Sequence, residues 1–424
     1  MTGPVRVLCA AASLVALLAS AAAAQGQLTD TVRLSDVLRI AQDSSPMLRA
    51  ARSSATAAAE RAGPAGALPD PQLQFGLLNR MASEFSSTAD PMTMNQIQLM
   101  QMLPWPGKLG GAHAAAEHNA AAASADADEQ TRMLVARVRM AYYDLAYADR
   151  ALEVMRGTRE LLRQLLEVST TMYAVGSTVQ QDVLRAQVEV ARMTEEVTRM
   201  QQERLAGAAR LNTLLGREAA GPVGAVELPE PTGDLPNADT IIARALVARP
   251  ALLAGAERVS AADASLSAAR RELYPDIQVG VQYQERPMFP NMISIMIGVN
   301  VPLFAGSKQL AMRRQMTAML DMSQAELLNL RNETAARIIE ARARAAQDQS
   351  LARLYRTSIL PQARAAVQAA FASYRVGRVA FMQLVDNQMT VNRYATETYR
   401  LMADYQQAMG DLEALAGGPL EAQP

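Results

Sequence analysis

The chain has 424 residues, of which 50% are hydrophobic and only 4% are aromatic. It carries 41 basic and 42 acidic residues, and the resulting net charge of −1 gives no electrostatic basis for binding nucleic acid. Much of the apolar share is alanine, a composition that favours closely packed helices over a thick globular core.

Residues 1–24 are predicted to be a secretory signal peptide. Arg6 precedes an apolar run from Val7 to Ala19, and small residues follow as far as Ala24. This run is shorter than the roughly 20 residues that a membrane-spanning helix needs. Cys9, the single cysteine, would leave with the leader. Disulfides, zinc-thiolate sites and thiol nucleophiles are therefore not expected in the mature chain.

The mature chain begins with a helical pattern that is followed by two strands. The helix is predicted from Leu34 to about Ala62, interrupted at Ser45-Pro46, and Gly63-Pro64 is expected to end it. Strands near 72–79 and 93–103 alternate between apolar and polar residues and would form a hairpin with a long connection. Their apolar residues are Leu73, Phe75, Leu77, Ile97 and Leu99.

Two long helices are predicted next, near 111–172 and 179–215. Apolar residues in the first helix recur at alternating steps of four and three, which is a heptad seam. The seam residues are Leu134, Val138, Ala141, Leu145, Ala148, Leu152 and Met155. The second helix continues the pattern, and the turn Tyr173-Ala-Val-Gly176-Ser177 separates the two. An antiparallel coiled coil follows from this arrangement.

The order of elements then repeats after a linker at residues 217–238 that is rich in proline and glycine. Tyr274-Pro-Asp-Ile-Gln-Val-Gly280 aligns without a gap with Asp70-Pro-Gln-Leu-Gln-Phe-Gly76. The turn Tyr374-Arg-Val-Gly377 matches Tyr173-Ala-Val-Gly176. A repeat over so long a period predicts a duplication.

The second repeat therefore has the same predicted elements as the first. Strands are expected near 277–284 and 292–301, and long helices near 308–373 and 379–415. The domain boundaries that follow are a first repeat at 25–216, a second at 239–417 and a C-terminal tail at 418–424.

All four strands have the alternation of strands that face lipid on one side and water on the other. Four strands cannot close on themselves, because the smallest barrels of this type have about eight. The sequence therefore predicts a mainly α protein with a membrane β-barrel to which several subunits contribute strands.

These features together resemble the TolC-like outer-membrane efflux protein family. The resemblance covers nearly the whole mature chain, including the duplication, both Val-Gly turns and the segment Gln181-Asp-Val-Leu-Arg-Ala-Gln-Val-Glu189. It implies a homotrimer with a shared 12-stranded barrel in the outer membrane and an α-barrel of coiled helices in the periplasm. Pro104-Trp-Pro-Gly-Lys108 and Tyr142-Tyr-Asp-Leu145 resemble members that work with metal-exporting pumps of the resistance-nodulation-division (RND) class.

In that family the turns of the helical hairpins contact a periplasmic adaptor, a membrane fusion protein. By resemblance, the adaptor-contact residues are Val175, Gly176, Ser177, Val376, Gly377 and Arg378. A simpler reading is that each glycine only permits the left-handed conformation of a turn.

Family members also narrow the entrance with acidic residues just past these turns. The matching positions are Asp182, Gln383 and Asp386, and the family's basic gate partner aligns with Val379. A ring of Asp386 from three subunits would give the entrance a preference for cations. The alternative is that each aspartate stabilises the first turn of a helix through the helix dipole.

Other signals support no chemistry. Met94, Met100 and Met102 share the polar face of their strand, where methionine is an adaptable filler, and tight metal binding is not expected. His113 and His118 are spaced too far around a helix to chelate and are expected to be solvated. Trp105 fits either a membrane interface or packing at the bend. No catalytic motif or cofactor-binding site appears.

The expected function is passive conduction from an adaptor and an inner-membrane pump, of the RND class by resemblance, to the exterior. Metal ions and small toxic compounds are the candidate substrates. Two alternatives stay open: a periplasmic coiled-coil structural or adaptor protein without a pore, and a type I secretion duct for polypeptides.

Overall fold

The computed structural model describes residues 31–82, 85–88 and 90–420. Its contacts divide the chain into two compact units. Of the described residues, the helical unit comprises 31–49, 130–245 and 334–420, and the sheet unit comprises 50–82, 85–88, 90–129 and 246–333. The predicted signal peptide, residues 1–24, lies outside the described residues, as does the end of the tail from residue 421.

The described chain is mainly helical and contains one four-stranded sheet. The helices are α1 (Leu34–Ser44), α2 (Pro46–Ala59), α3 (Ala62–Gly66), α4 (Lys108–Ala174), α5 (Gln180–Leu214), α6 (Ala238–Ala248), α7 (Pro250–Arg271), α8 (Gln309–Leu354), α9 (Leu360–Arg375) and α10 (Phe381–Leu415). The strands are β1 (Gln72–Leu78), β2 (Met94–Leu103), β3 (Asp276–Glu285) and β4 (Met292–Asn300). None of the helices so described is long and apolar enough to cross a membrane.

The short helix α3 corrects the predicted break at Gly63-Pro64, because both residues lie inside it. Proline is tolerated in the first turn of a helix, where its missing N–H would have no partner in the helix. The chain turns at Glu60 and Arg61, between α2 and α3, and becomes extended at Ala67.

The four strands of the sheet unit pair antiparallel in the order β1-β2-β3-β4. Leu73 lies opposite Leu99 in the first hairpin, and Val281 lies opposite Ile295 in the second. The apolar residues of the strands are exposed, and Phe75 and Ile295 have relative exposures of 75% and 73%. The polar residues of the other face are more covered, and Gln282 is 8% exposed.

The junction between β2 and α4 is held by β3 and the residues before it. Trp105 stacks on Tyr274 with ring centroids 5.2 Å apart. Lys108 Nζ lies 2.8 Å from Asp276 Oδ1 and 3.5 Å from Glu272 Oε2, and the Lys108 side chain is only 7% exposed. Of the two roles predicted for Trp105, packing at the bend therefore has a specific partner residue, Tyr274.

Both histidines are partly solvated, as expected, and each also has a polar partner in the fold. His113 Nδ1 lies 2.7 Å from the carbonyl oxygen of Ala62, and His118 Nδ1 lies 2.7 Å from Glu257 Oε2. Each side chain is 42% exposed. The partners are distant in sequence, so the local helical pattern around the histidines gave no sign of them.

The core of the helical unit is built from heptad residues. Leu134, Val138 and Leu145 on α4 are buried, and they pack with Leu211 on α5 and with Val37 on α1. A separate cluster joins Ile338 and Ala345 on α8 to Tyr405 and Leu412 on α10. These contacts bury the seam that the sequence predicts for α4.

The helix predicted at 308–373 is not continuous, because a π-helical turn at Tyr355–Ile359 separates α8 from α9. The Leu360 N–H bonds to the carbonyl of Tyr355, five residues back, and Pro361 follows with no N–H to give. The π-helical turn holds one residue more than a regular α-helical turn.

Covered residues at heptad spacing form one run before this turn and one after it. The first run is Ile338, Ala345 and Ala352, and the second is Leu360, Val367 and Tyr374. Between Ala352 and Leu360 the spacing is one residue longer, and the widened turn keeps both runs on one face.

The segment predicted as a linker, residues 217–238, is fastened to α4. Val32 forms a parallel bridge with Val226, and the Val32 N–H donates to the carbonyl of Ala225. The buried Tyr142 hydroxyl donates to the Val32 carbonyl at 2.8 Å and accepts from the Glu227 N–H at 3.1 Å. One tyrosine thus connects the N-terminal segment, the linker and the long helix.

Candidate functional site

The first hairpin tip reverses the chain between α4 and α5 through a left-handed glycine. Gly176 has φ +75°, a conformation that costs other residues about 1–2 kcal/mol. Its N–H bonds to the Tyr173 carbonyl at 3.0 Å, and the Ser177 N–H bonds to the Met172 carbonyl at 2.8 Å. This pair of bonds is a Schellman motif, which satisfies carbonyls at the end of α4.

The second tip, between α9 and α10, has the same construction. Gly377 has φ +70°, and its N–H bonds to the Tyr374 carbonyl at 2.9 Å. The Arg378 N–H bonds to the Ser373 carbonyl, also at 2.9 Å. Local capping thus explains why glycine stands at both positions.

The side chains of the two tips are presented to solvent. Val175 is 71% exposed and Val376 is 68% exposed, although both are apolar. Ser177, Gly377 and Arg378 are exposed as well. Exposed valines at both reversals are not needed for capping, because the Schellman bonds use backbone atoms only.

Replacing Gly377 with alanine tests the backbone constraint. No heavy atom lies within 4 Å of a Cβ at this position, so the cost comes from the positive φ alone and should be about 1–2 kcal/mol. Gly157 is the matched control, because it also has open space but lies inside α4. Gly157→Ala should gain about 0.5–1 kcal/mol. Thermal unfolding in detergent, with hydrogen exchange of the Arg378 amide, measures both. Equal shifts in the two variants would contradict the prediction.

A shared apolar cluster below the tips holds the two hairpins together. Tyr374 and Phe381 pack with ring centroids 5.6 Å apart. The first hairpin contributes Leu162, Leu165, Ala186 and Met193, and the second contributes Ala370, Tyr374, Phe381, Leu384 and Val385. The tips are therefore positioned by a common core and not by their turns alone.

Tyr374 also brings the second hairpin close to the polar residues of the first tip. Burial raises the pKa of Tyr374, while the Thr178 hydroxyl lowers it in part and the Asp182 carboxylate raises it. Thr178 Oγ1 donates to Asp182 Oδ2 at 2.6 Å. Asp182 is half-buried and its carboxylate has a local donor, which agrees with a role in the first turn of α5.

The other two predicted entrance residues lie in the first part of α10. Gln383 is exposed, and its Nε2 donates to Asn387 Oδ1 at 3.1 Å. Asp386 is exposed and forms no ion pair with another described residue. The structure thus gives Asp182 and Asp386 different settings, which their sequence positions did not distinguish.

Asp386 faces a charged groove of about 390 Å³ between α5 and α10. The ionisable residues lining it are Asp386, Glu189, Glu196, Arg192 and Arg393. Three carboxylates thus face two guanidinium groups, and the groove has a local excess of negative charge. Glu189, Arg192 and Glu196 belong to a helix about two hundred residues earlier than Asp386, so sequence reasoning missed that they share its groove.

A larger apolar groove of about 810 Å³ runs along α4, α9 and α10. Leu161, Val168, Val367 and Phe371 are among its apolar lining residues. Close to it, the buried Thr158 Oγ1 donates to Asn392 Oδ1 at 3.1 Å. This bond joins the two helical hairpins. In the sequence, the only sign of it is that these two polar residues stand within a heptad pattern.

The polar face of the sheet is lined by glutamine, serine, glycine and methionine. Met100 and Met296 both lie opposite Gly280, so the two thioethers occupy one cross-strand row. Gln98, Gln282 and Ser294 form the next row on this face. Within the part of the chain that is described, no group of three or more His, Cys, Asp or Glu side chains is arranged to hold a metal ion.

Comparisons with solved structures find the same fold in outer-membrane channels. The channel OprN matches with a TM-score of 0.80 at 18% identity, covering 91% of this chain and 90% of that one. VceC from Vibrio cholerae matches with a TM-score of 0.78 at 18% identity, covering 92% and 97%. CusC matches with a TM-score of 0.75 at 17% identity, covering 92% and 94%. Comparison with curated protein sequences finds no match.

Comparison with family models identifies the chain directly. The model described as "Outer membrane efflux protein" matches residues 37–217 and 241–418. The two matched segments cover most of the chain and flank the linker that the sequence predicts. The chain belongs to the outer membrane efflux protein family, and is an outer-membrane channel protein and not an enzyme.

Proposed function

We propose that three copies of this chain form one outer-membrane duct, with four strands each in a shared 12-stranded barrel. The observation that carries the proposal is a four-stranded sheet with an exposed apolar face and two unpaired edges, β1 and β4. Such a sheet is too small to close, and its edges and its apolar face both need cover. Sister chains would pair the edges, and lipid would cover the face.

A duplication explains why each chain brings two similar halves to this assembly. Its support is the shared element order, the matching Schellman turns at Gly176 and Gly377, and the two hairpins of the sheet. Residues 25–216 and 239–417 would be the two structural repeats, joined by the linker at 217–238. Three duplicated chains then give six quasi-equivalent hairpins to each end of the duct.

The duct would conduct passively, and a partner would supply the energy. We assign the tips Val175-Gly176-Ser177 and Val376-Gly377-Arg378 to contact with a periplasmic adaptor, because their exposed valines serve no capping purpose. An inner-membrane pump, of the RND class by sequence resemblance, would deliver metal ions or small toxic compounds. A water-filled lumen lined by glutamine would contact such cargo weakly, which leaves selection to the pump.

Two measurements test the duct itself. The mass of the purified protein in detergent should correspond to three chains, and the protein should conduct across planar bilayers. A protein that fractionates without detergent, stays monomeric and leaves bilayers electrically silent would instead support the periplasmic structural or adaptor alternative. Transport of a polypeptide by the same duct would support the type I secretion alternative.

Within the duct, we assign Asp182, Gln383 and Asp386 to the entrance, with Asp386 setting its charge preference. Asp386 is exposed beside Glu189 and Glu196, so three copies would form an acidic ring near the tips. Asp182 differs, because its carboxylate is engaged by Thr178.

Asp386→Ala should reduce the preference for cations, measured as a reversal potential in a salt gradient across a planar bilayer. Asp182→Ala is the matched control, because it removes the same charge from a carboxylate that already has a local donor, and should change the reversal potential less. An unchanged cation preference in Asp386→Ala would remove the assignment of Asp386, while leaving the duct intact.

A further inference from the structure

The end of β4 exposes apolar side chains that have no cover within the described chain. Leu303 is 83% exposed and Phe304 is 78% exposed. At the end of β2, by contrast, Trp105 stacks on Tyr274, which precedes β3. The two strand ends differ because β2 has a following neighbour in the sheet and β4 does not.

The registers of the two β-hairpins, β1-β2 and β3-β4, define which residues of the first correspond to which residues of the second. Leu73 pairs with Leu99 in the first hairpin, and Ile277 pairs with Val299 in the second. The gapless sequence match places Leu73 with Ile277, so Leu99 corresponds to Val299. Lys108 and Lys308 then follow Leu99 and Val299 at the same distance along the chain.

The contact between β2 and β3 can therefore serve as a template for the missing contact at β4. In the template, Lys108, which follows β2 of the first β-hairpin, binds Asp276 at the start of β3 and Glu272 just before it. For Lys308, the next strand would be β1 of another copy. In that strand Gln72 stands in the position of Asp276, and Leu68 stands in the position of Glu272.

One carboxylate is available between those two positions. Asp70 is the only acidic residue from Ala67 to Leu78, and it is exposed. Lys308 is exposed too, and within the described chain neither Asp70 nor Lys308 forms an ion pair. Glu272 and Asp276 of the same chain share a groove with Lys308 but are already bound by Lys108.

We propose that β4 pairs with β1 of the partner subunit in the register that joins β2 to β3, and that Lys308 binds Asp70 of the partner subunit. The proposal rests on the shared barrel of the proposed function and adds its register and its ion pair. The template pair Leu99 and Val281 translates to Val299 opposite Leu77 of the partner subunit. Leu303 and Phe304 would then be covered by the segment around Leu68, as Trp105 is covered by Tyr274.

Cysteine cross-linking tests the register. The mature chain as predicted has no cysteine, so introduced thiols have no competitors. Within one chain, Val299 and Leu77 lie at opposite edges of the sheet, and the three strand spacings between the edges already separate them by about 14 Å, which is beyond the reach of a disulfide. A bond between them can therefore form only between copies.

The variant carrying V299C and L77C should oxidise to a covalent trimer on a non-reducing gel. The control carries V299C and F75C, which shifts the pair by two residues on the same face of the sheet. This control should form much less of the covalent trimer. If the control links as well or better, or if a protein with the mass of three chains links in neither variant, the proposed register is wrong. If the protein has the mass of one chain, the shared barrel itself is wrong, and the register is rejected with it.

Charge reversal tests the ion pair separately. K308D and D70K should each lower the temperature at which the trimer dissociates in sodium dodecyl sulfate, and the double variant should recover most of the loss. K308D and D70K leave the pair of Lys108 and Asp276 intact, so the fold of each chain, followed by circular dichroism, should not change. Additive losses in the double variant would overturn the pairing of Lys308 with Asp70.

Discussion

Replacing Arg249 with alanine is expected to lower the free energy of unfolding of the sheet unit by about 3–5 kcal/mol. The Arg249 and Glu129 side chains are only 7% and 14% exposed. Arg249 Nη2 and Nε lie 2.8 and 3.2 Å from Glu129 Oε1. Without the guanidinium group, the Ala251 N–H, at 3.3 Å, would be the donor left to this carboxylate among the described residues.

Arg258→Ala is the matched control for this prediction. Arg258 on α7 pairs with Asp126 on α4, but these side chains are 48% and 46% exposed. Water screens such a pair, so its loss should cost less than about 1 kcal/mol. Thermal unfolding in detergent, followed by circular dichroism, compares the variants. Similar losses for Arg249→Ala and Arg258→Ala would show that burial does not set the strength of the first pair.

Tyr142→Phe is expected to destabilise the attachment of the linker by about 1–3 kcal/mol. The hydroxyl serves both the Val32 carbonyl and the Glu227 N–H, and Tyr142 is 2% exposed. Phenylalanine keeps the ring but leaves both backbone groups without this partner. Limited proteolysis should therefore cut the segment at 217–238 faster in the variant, before the helices unfold.

The neighbouring Tyr143 supplies the control. It is 6% exposed, and burial raises its pKa to about 12. Its ring centroid lies 5.3 Å from that of Tyr142, yet its hydroxyl forms no hydrogen bond with another described residue. Tyr143→Phe should therefore leave the rate of cleavage close to that of the unmodified protein. If both variants accelerate cleavage equally, ring packing fastens the linker and the Tyr142 hydroxyl does not.

The parts of this fold that depend on short-range periodicity could be predicted from the sequence. The heptad spacing of Leu134, Val138 and Leu145 predicts a buried seam, and these residues are buried. Alternation along four short segments predicts strands, and the sheet has all four. The glycines at Gly176 and Gly377 predict left-handed turns, and both have positive φ.

Pairings between distant segments could not be predicted in the same way. Arg249 and Glu129 are separated by 120 residues, and nothing local marks either one, since Arg249 stands just before α7 and Glu129 is an ordinary polar residue of α4. The sequence around Asp386 does not indicate that glutamates share its groove, since Glu189 belongs to the other helical hairpin. Specific partners of this kind depend on how helices pack, which local patterns do not contain. The roles of the tips and of the entrance residues stay predictions.

The π-helical turn before Pro361 has a consequence for insertions and deletions. Each residue added to or removed from a regular α-helix rotates everything beyond it by about 100°. In α4, which has no such turn, losing one residue would misdirect its entire tip. In the other hairpin, losing one residue from Tyr355–Ile359 should merge the two heptad runs into one and leave Tyr374 on the same side. This stretch is thus the place where the long helices can change length by a single residue without losing their alignment.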